Sequence, residues 1–499
     1  GNAVRNAIRD PDRSADCNTA RRGRRVTRTT RLHSARHIAP LAWPMYIGQI
    51  AVLAFSTVDT VMVARASALD LAALAIGSAA YITVFVGLMG VILGLGPIAG
   101  QFYGAGRLRE CGGSLQQAMW LGLALSVGGC ALLAFPQPFL SLAQATPEVE
   151  SKVRGYLAGL AFALPPALLF TAYRAFNIAV SRPKAVMALQ LGALLLKVPL
   201  TALLVFGAAL PTPFGELRVP AGGAPGCGVA TALVMAAQMA IAWVVLRRDP
   251  FYLRFGLRER FASPDRKTLA VLLRLGVPLG LSITVEVTGF TFMAFFIARI
   301  GATPVAGHQI AVNMVSLMYM MPLAIANAAS TLVAQRVGAG DWTGARRIGQ
   351  HGVEIGMLAG AAAGATVYLL REQIVRLYTA DPVIVAAALP LLAWVAVFHM
   401  ADSTQTVSAF VLRAYRIVNV PLAINAVAIW GVGLGGGYVL AFDLSGKTPS
   451  ALHGAQGFWA AATLGLVVAA FAMLTLLVVT FQRQKGTATT RAMPKDAAS

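Results

Sequence analysis

The chain has 499 residues, 57% of them hydrophobic and 12% charged, with a mean hydropathy of +0.68, whereas soluble domains carry about 25% charged residues. This excludes an ordinary soluble domain and points to an all-α polytopic membrane protein. The formal net charge of +21 is divided among short clusters between apolar spans, as the positive-inside rule produces, which argues against nucleic-acid binding. Cys17, Cys111, Cys130 and Cys227 are scattered without CxxC or Cys/His spacing, so neither a disulfide framework nor a metal centre is expected.

Residues 1–36 hold ten arginines and no lysine. Asp10, Asp12 and Asp16 and the absence of an amphipathic pattern argue against a transit peptide, so a disordered cytoplasmic tail, or an extension from an upstream start site, is expected. From His37 twelve hydrophobic spans follow, at roughly 38–64, 71–100, 115–136, 154–174, 185–208, 226–246, 270–298, 304–334, 348–370, 383–412, 418–441 and 455–481. Alternate connections are basic: Arg107 and Arg109; Arg182 and Lys184; 247–267; Arg336, Arg346 and Arg347; Arg413 and Arg416; and the tail after 481. Both termini and the long central connection are therefore expected in the cytoplasm.

The chain repeats itself at an offset of 234, which relates Pro44 to Pro278 and QFYGAG at 101–106 to QRVGAG at 335–340. With slight drift, Thr-Pro at 146–147 faces Asp-Pro at 381–382, and Arg-Ala-Phe at 174–176 faces Arg-Ala-Tyr at 413–415. Six spans per half give both halves the same orientation. The expected architecture is two six-helix lobes related by a pseudo-two-fold axis along the membrane normal, with a cavity between them that opens alternately to each side. The units are a tail (1–36), an N-lobe (37–246), a cytoplasmic linker (247–269), a C-lobe (270–481) and a second tail (482–499).

Three acids lie well inside spans: Asp59, Glu286 and Asp402. Glu286 is the single charge in the long apolar run between Arg274 and Arg299, near the bilayer midplane, where ionisable groups face a protein interior or a wet cavity. On a helix His399, Asp402 and Thr406 share one face, with Gln405 beside it, while Ser282, Gly289 and Phe290 share the face of Glu286. Two carboxylates among hydroxyls suit a small hard cation or a proton. The structural alternative, that each acid only holds a neighbouring helix, is the weaker one because buried ions stabilise poorly. Lys197 and Arg174 fall nearer span ends, so the acids are expected to lack central basic partners and to select cationic cargo. Phe290, Phe292, Met293, Met314, Met318 and Met320 are candidates for an adaptable apolar lining. Prolines within spans, such as Pro44, Pro165, Pro166, Pro199, Pro278, Pro322 and Pro390, are expected to bend helices. HExxH, GxSxG and Walker A motifs are absent, so the chain is not expected to be an enzyme or an ATP-driven pump.

WPMYIGQI, FSTVDTVMVAR, GQFYGAGR, FFIARIG with PVAGHQIAVNMVSLMYMMP, QRVGAGD with GARR, LRAYR and HGAQGFW occur in order over about 38–481. This set resembles the multidrug and toxic compound extrusion (MATE) family, NorM branch. The resemblance implies a monomeric, V-shaped antiporter in the bacterial inner membrane that expels cationic amphiphiles, including fluoroquinolones and dyes, against inward Na⁺ or H⁺, with no resident cofactor. A flippase for a lipid-linked precursor, of related architecture, is the alternative. Carried over by position, the resemblance matches Asp59, Glu286 and Asp402 to the family's first-, seventh- and tenth-helix acids, the last two as ligands if the ion is Na⁺. His399, Phe398, Gln309, Asn313 and Asn177 are further candidates for the site lining. Phe398 stands where members carry a tyrosine and Ile178 where some carry an aspartate. The first departure removes a possible Na⁺ ligand, so Na⁺ and H⁺ both stay open.

Overall fold

The computed structural model describes residues 12–492 apart from 144–145, 213–214, 260 and 445. Twelve helices are long and apolar enough to cross a bilayer: α1 (His33–Ala66), α2 (Ala68–Gly104), α3 (Leu108–Ala134), α4 (Pro147–Ala179), α5 (Pro183–Phe206), α6 (Gly223–Arg248), α7 (Arg266–Ala298), α8 (Ala302–Gly338), α9 (Trp342–Leu369), α10 (Pro382–Ala414), α11 (Asn419–Ala441) and α12 (Ala455–Gln484). At about 1.5 Å per residue, the shortest spans a hydrocarbon core of about 30 Å. Helices continue through the internal prolines of α1, α4, α5, α7, α8 and α10, which membrane helices tolerate when neighbours satisfy the freed carbonyl.

Three departures from the sequence-based expectation concern backbone alone. The helix containing α1 begins at Asp12, so the described part of the arginine-rich segment is continuous with the first span; no proline falls between Pro11 and Pro40 to stop it. Between α5 and α6, where a Pro/Gly-rich loop is expected, β1 (Ala208–Thr212) pairs antiparallel with β2 (Gly215–Val219). Part of α11, Ala426–Gly435, winds as a π-helix around the glycines of IWGVGLG, a local widening often found at functional sites.

The two halves share local motifs as well as sequence. Short helices Gln137–Ala143 and Arg371–Tyr378 follow α3 and α9 at the same offset. Ser181 and Arg416, just past α4 and α10, are both left-handed, at φ 61° and 62°. The first helix of each half leans on the other half. Ile38, Ala42 and Met45 of α1 pack in a core with Ala324, Ala328 and Val333 of α8, whereas Leu272 and Leu275 of α7 join the N-lobe core with Val91, Ile92 and Leu95 of α2.

The lobes meet at the end of the bundle where α1 begins and α12 ends. There the Gln101 amide donates to the Ala414 carbonyl (2.9 Å), and the Gln335 amide to the Ala179 carbonyl (2.7 Å). A Cβ on Gly104 would lie 1.9 Å from the Gln335 carbonyl oxygen, and one on Gly338 would lie 2.0 Å from that of Gln101. The repeated QxxGAG motif is thus a reciprocal close approach of α2 and α8, possible only without side chains at those two positions.

The linker is not a free tether. Tyr252 and Phe255 of a 3₁₀ turn, Pro250–Phe255, are fully buried in the N-lobe, and the Tyr252 hydroxyl donates to Asn177 Oδ1 (2.5 Å). Arg182 pairs with Asp249 (2.7 Å) and lies over the Phe251 ring. The Phe251 backbone N–H is the first cause holding the Asp249 carboxyl below its ordinary range, with Arg182 adding to it. Further on, Gln116, Gln117 and Trp120 of α3 bond the backbone at Ala262, Ser263 and Asp265.

Candidate functional site

A cavity of about 760 Å³ lies between the lobes, within the size range of small-molecule sites. Its wall draws on α1, α2, α4 to α8 and α10 to α12 and runs from Ser56, Ser78 and Ser316 down to Ala179 and Arg413 at the joined end. Phe290, Met293, Met320 and Phe398 supply apolar lining as expected; Phe292, Met314 and Met318 do not reach it.

Asp59, Glu286 and Asp402 all line this cavity, but their surroundings differ. The Asp59 carboxylate lies 2.8 Å from Lys197 Nζ of α5, a fully buried side chain that also donates to Thr231 Oγ1 at 2.5 Å. The expectation that Asp59 lacks a basic partner is therefore corrected. The ammonium sits about two turns inside α5, and the helix face that carries it turns inward toward α1 and α6.

Glu286 of α7 and Asp402 of α10 line the C-lobe side of the same cavity. Among the described residues neither pairs with lysine or arginine. The His399 Nδ1 is 4.0 Å from Asp402 Oδ2, and both His399 ring nitrogens and Asp402 Oδ2 are buried without a hydrogen-bond partner. A polar ladder joins the two helices. Thr406 Oγ1 donates to Gln405 Oε1 (3.2 Å), the Gln405 amide to Asn425 Oδ1 (2.8 Å), and the Asn425 amide to Ser282 Oγ (3.0 Å), one turn from Glu286. Tyr319 of α8 lines the same cavity. These oxygens can replace part of a small cation's hydration, or the carboxylates can hold a proton.

The other candidates separate. Phe398 lies in the cavity wall against Phe290 and Trp459, at ring distances of 6.0 and 5.5 Å. His399 is fully buried behind Asp402 and does not reach the cavity. Gln309, Asn313 and Asn177 are outside it. Gln309 is on an exposed face of α8, Asn313 accepts from the Tyr378 hydroxyl (2.8 Å), and Asn177 is tied to the linker. Composition cannot say which face of an apolar helix looks inward, and these three point the other way.

Sequence reasoning missed Tyr319, Asn425 and two arginines. Arg174 and Arg413, expected near span ends and in a basic connection, are in the cavity wall. The signal available was the repeat itself, which aligns Arg174 with Arg413 and so places both where the axis runs.

Two six-helix lobes about a membrane-normal axis, enclosing a cavity lined by two carboxylates that have no basic partner among the described residues, define a two-lobed membrane transporter. The MatE family model matches residues 44–203 and 278–439, one copy per half at the offset of the repeat. The chain belongs to the MATE family, NorM branch. It is 38% identical over 450 residues to an Aromatoleum aromaticum protein described as a probable multidrug resistance protein NorM, covering 90% of this chain and 95% of that one. It is 33% identical over 443 residues to the multidrug resistance protein NorM of Vibrio cholerae, with 87% and 93% coverage. Among solved structures, the eukaryotic MATE transporter AtDTX14 has the same fold, with a TM-score of 0.79 at 18% identity, covering 93% of this chain and 100% of that one. The bent form of the Vibrio cholerae transporter VcmN also gives 0.79, at 16% identity, covering 91% and 98%.

Proposed function

We propose that the protein is a secondary-active exporter of cationic amphiphiles, driven by inward movement of Na⁺ or H⁺ at Glu286 and Asp402. One observation carries this reading: among the described residues the two cavity-lining carboxylates have no lysine or arginine partner, although Lys197 neutralises the third acid. Keeping unpaired carboxylates in a membrane is costly, and an ion that loads and unloads there, or a cationic cargo, supplies the missing charge. Ion and cargo compete for the same oxygens, so the cavity carries one or the other as the lobes rock. With the lobes joined at the termini end, the cavity faces away from the side of the termini. The positive-inside pattern makes that side the cytoplasm and this state outward-facing, in a bacterial inner membrane.

A flippase for an anionic lipid-linked precursor expects a cationic groove along the translocation path, whereas the two cavity arginines lie together at one end. The test is ethidium efflux from proteoliposomes under a Na⁺ gradient and then under a pH gradient alone. Efflux under at least one is expected, and its loss in Glu286→Gln and in Asp402→Asn with insertion intact. Efflux at the wild-type rate in both variants overturns the assignment.

A further inference from the structure

Arg174 of α4 and Arg413 of α10 belong to different lobes and line the same cavity at its joined end. Both reach α2, on either side of the turn at 93–94 that interrupts it. An Arg174 terminal nitrogen is 3.6 Å from Met89 Sδ, and an Arg413 terminal nitrogen lies 3.5 Å from where a Cβ of Gly96 would stand. Arg413 is 7% exposed, its Nε has no partner among the described residues, and its guanidinium lies over the Phe410 ring at 4.5 Å. Among the described residues neither guanidinium has an oxygen acceptor.

Two like charges, one of them more than nine-tenths buried, come from opposite lobes to one end of the cavity, and among the described residues neither has a counter-ion. A buried charge lacking a partner is strongly unfavourable, and the planar fork of arginine matches a carboxylate or phosphate with two parallel bonds. We propose that Arg174 and Arg413 form an oxyanion subsite that takes the carboxylate of an amphoteric cargo whose amine lies toward Glu286 and Asp402. Asp402 and Arg413 are eleven residues apart on α10, three turns on one face and about 16 Å along the axis. The cavity is therefore polarised along its length, acidic at mid-depth and basic at the joined end. A carboxylate between the arginines also bridges the lobes, so such a cargo favours the state with that end shut. The proposal rests on the export reading for its cargo. A phospholipid phosphate would use the same donors, so the experiment separates the two sources.

Binding of a fluoroquinolone, which carries both an amine and a carboxylate, is compared with binding of its methyl ester and of ethidium. The full-length protein is used in detergent without added phospholipid. Wild type should bind the acid more tightly than the ester. The Arg174→Gln/Arg413→Gln variant should weaken the acid about tenfold or more, the equivalent of one charge-assisted hydrogen bond. It should leave the ester and ethidium within about twofold, with ethidium binding serving as the check on folding. Arg413→Lys should recover part of the loss, since it keeps the charge without the fork. Equal weakening of acid and ester, or no change in either, overturns the proposal. So does native mass spectrometry in which phosphatidylglycerol is retained by wild type and lost by the variant while acid and ester bind alike. Binding needs no ion gradient, so a wild-type protein that binds the acid through these arginines yet moves no cargo in liposomes refutes the export reading and leaves the subsite standing.

Discussion

Asp59 in the N-lobe and the Glu286–Asp402 pair in the C-lobe are carboxylates in one cavity, built by a duplicated chain, and they are held in opposite ways. Lys197, at 2.8 Å, turns Asp59 into half of an ion pair. Glu286 and Asp402 have an imidazole at 4.0 Å from Asp402 and a ladder of amides and hydroxyls. The duplication supplied the frame, and only one copy was left with acids whose charge has to be met by something that comes and goes. A buried acid is thus not a functional signal by itself; the presence or absence of a resident counter-charge decides how it is used.

The contrast is broken most completely by Glu286→Gln or Asp402→Asn, which should bring efflux to the protein-free baseline in the assay above. Next in size is Lys197→Met. It leaves Asp59 buried and unpaired and should cost about 3–5 kcal/mol of stability, read as a lowered thermal midpoint. The double variant Asp59→Asn/Lys197→Met should recover most of that loss. A double variant as unstable as Lys197→Met alone would show that the ion pair is not what holds the N-lobe acid. Gly338→Val tests the frame shared by both lobes. Its side chain meets the Gln101 carbonyl, should cost about 1–3 kcal/mol, and should lengthen spin-label distances across the joined end. The smallest effect is expected from Asp249→Asn, about 1 kcal/mol or less for a partly exposed pair. Because the folded carboxyl is held low, its contribution is present above the ordinary carboxylate value near 4 and is lost as pH falls through the lower folded value. The difference between wild type and variant in thermal midpoint should therefore vanish only in strong acid.

Much of this was legible beforehand, for physical reasons. Twelve spans follow from hydropathy because lipid tolerates little else, and the expected 71–100 and 383–412 differ from Ala68–Gly104 and Pro382–Ala414 only at their ends. The repeat predicted the axis, and the three intramembrane acids do line the cavity. Pairing and facing were not legible. Lys197 is 138 positions from Asp59, and nothing local to either residue marks the contact. Gln309 and Asn313 sit on a helix with apolar residues around most of its circumference, so periodicity could not orient them. The π-helical stretch was hidden for a different reason: a run of glycines signals backbone freedom but not the form it takes.

The attachment of the linker to α3 as far as Asp265, the residue that caps α7 by accepting from the Lys267 and Thr268 amides, leaves no slack cord between the lobes. The first turns of α7 are also fixed in the N-lobe core through Leu272 and Leu275. Relative displacement of the lobes has to be absorbed as curvature within α7, and the residue that removes a backbone bond there is Pro278. That flexure point lies two turns from Glu286, so swinging one lobe against the other also re-aims the carboxylate.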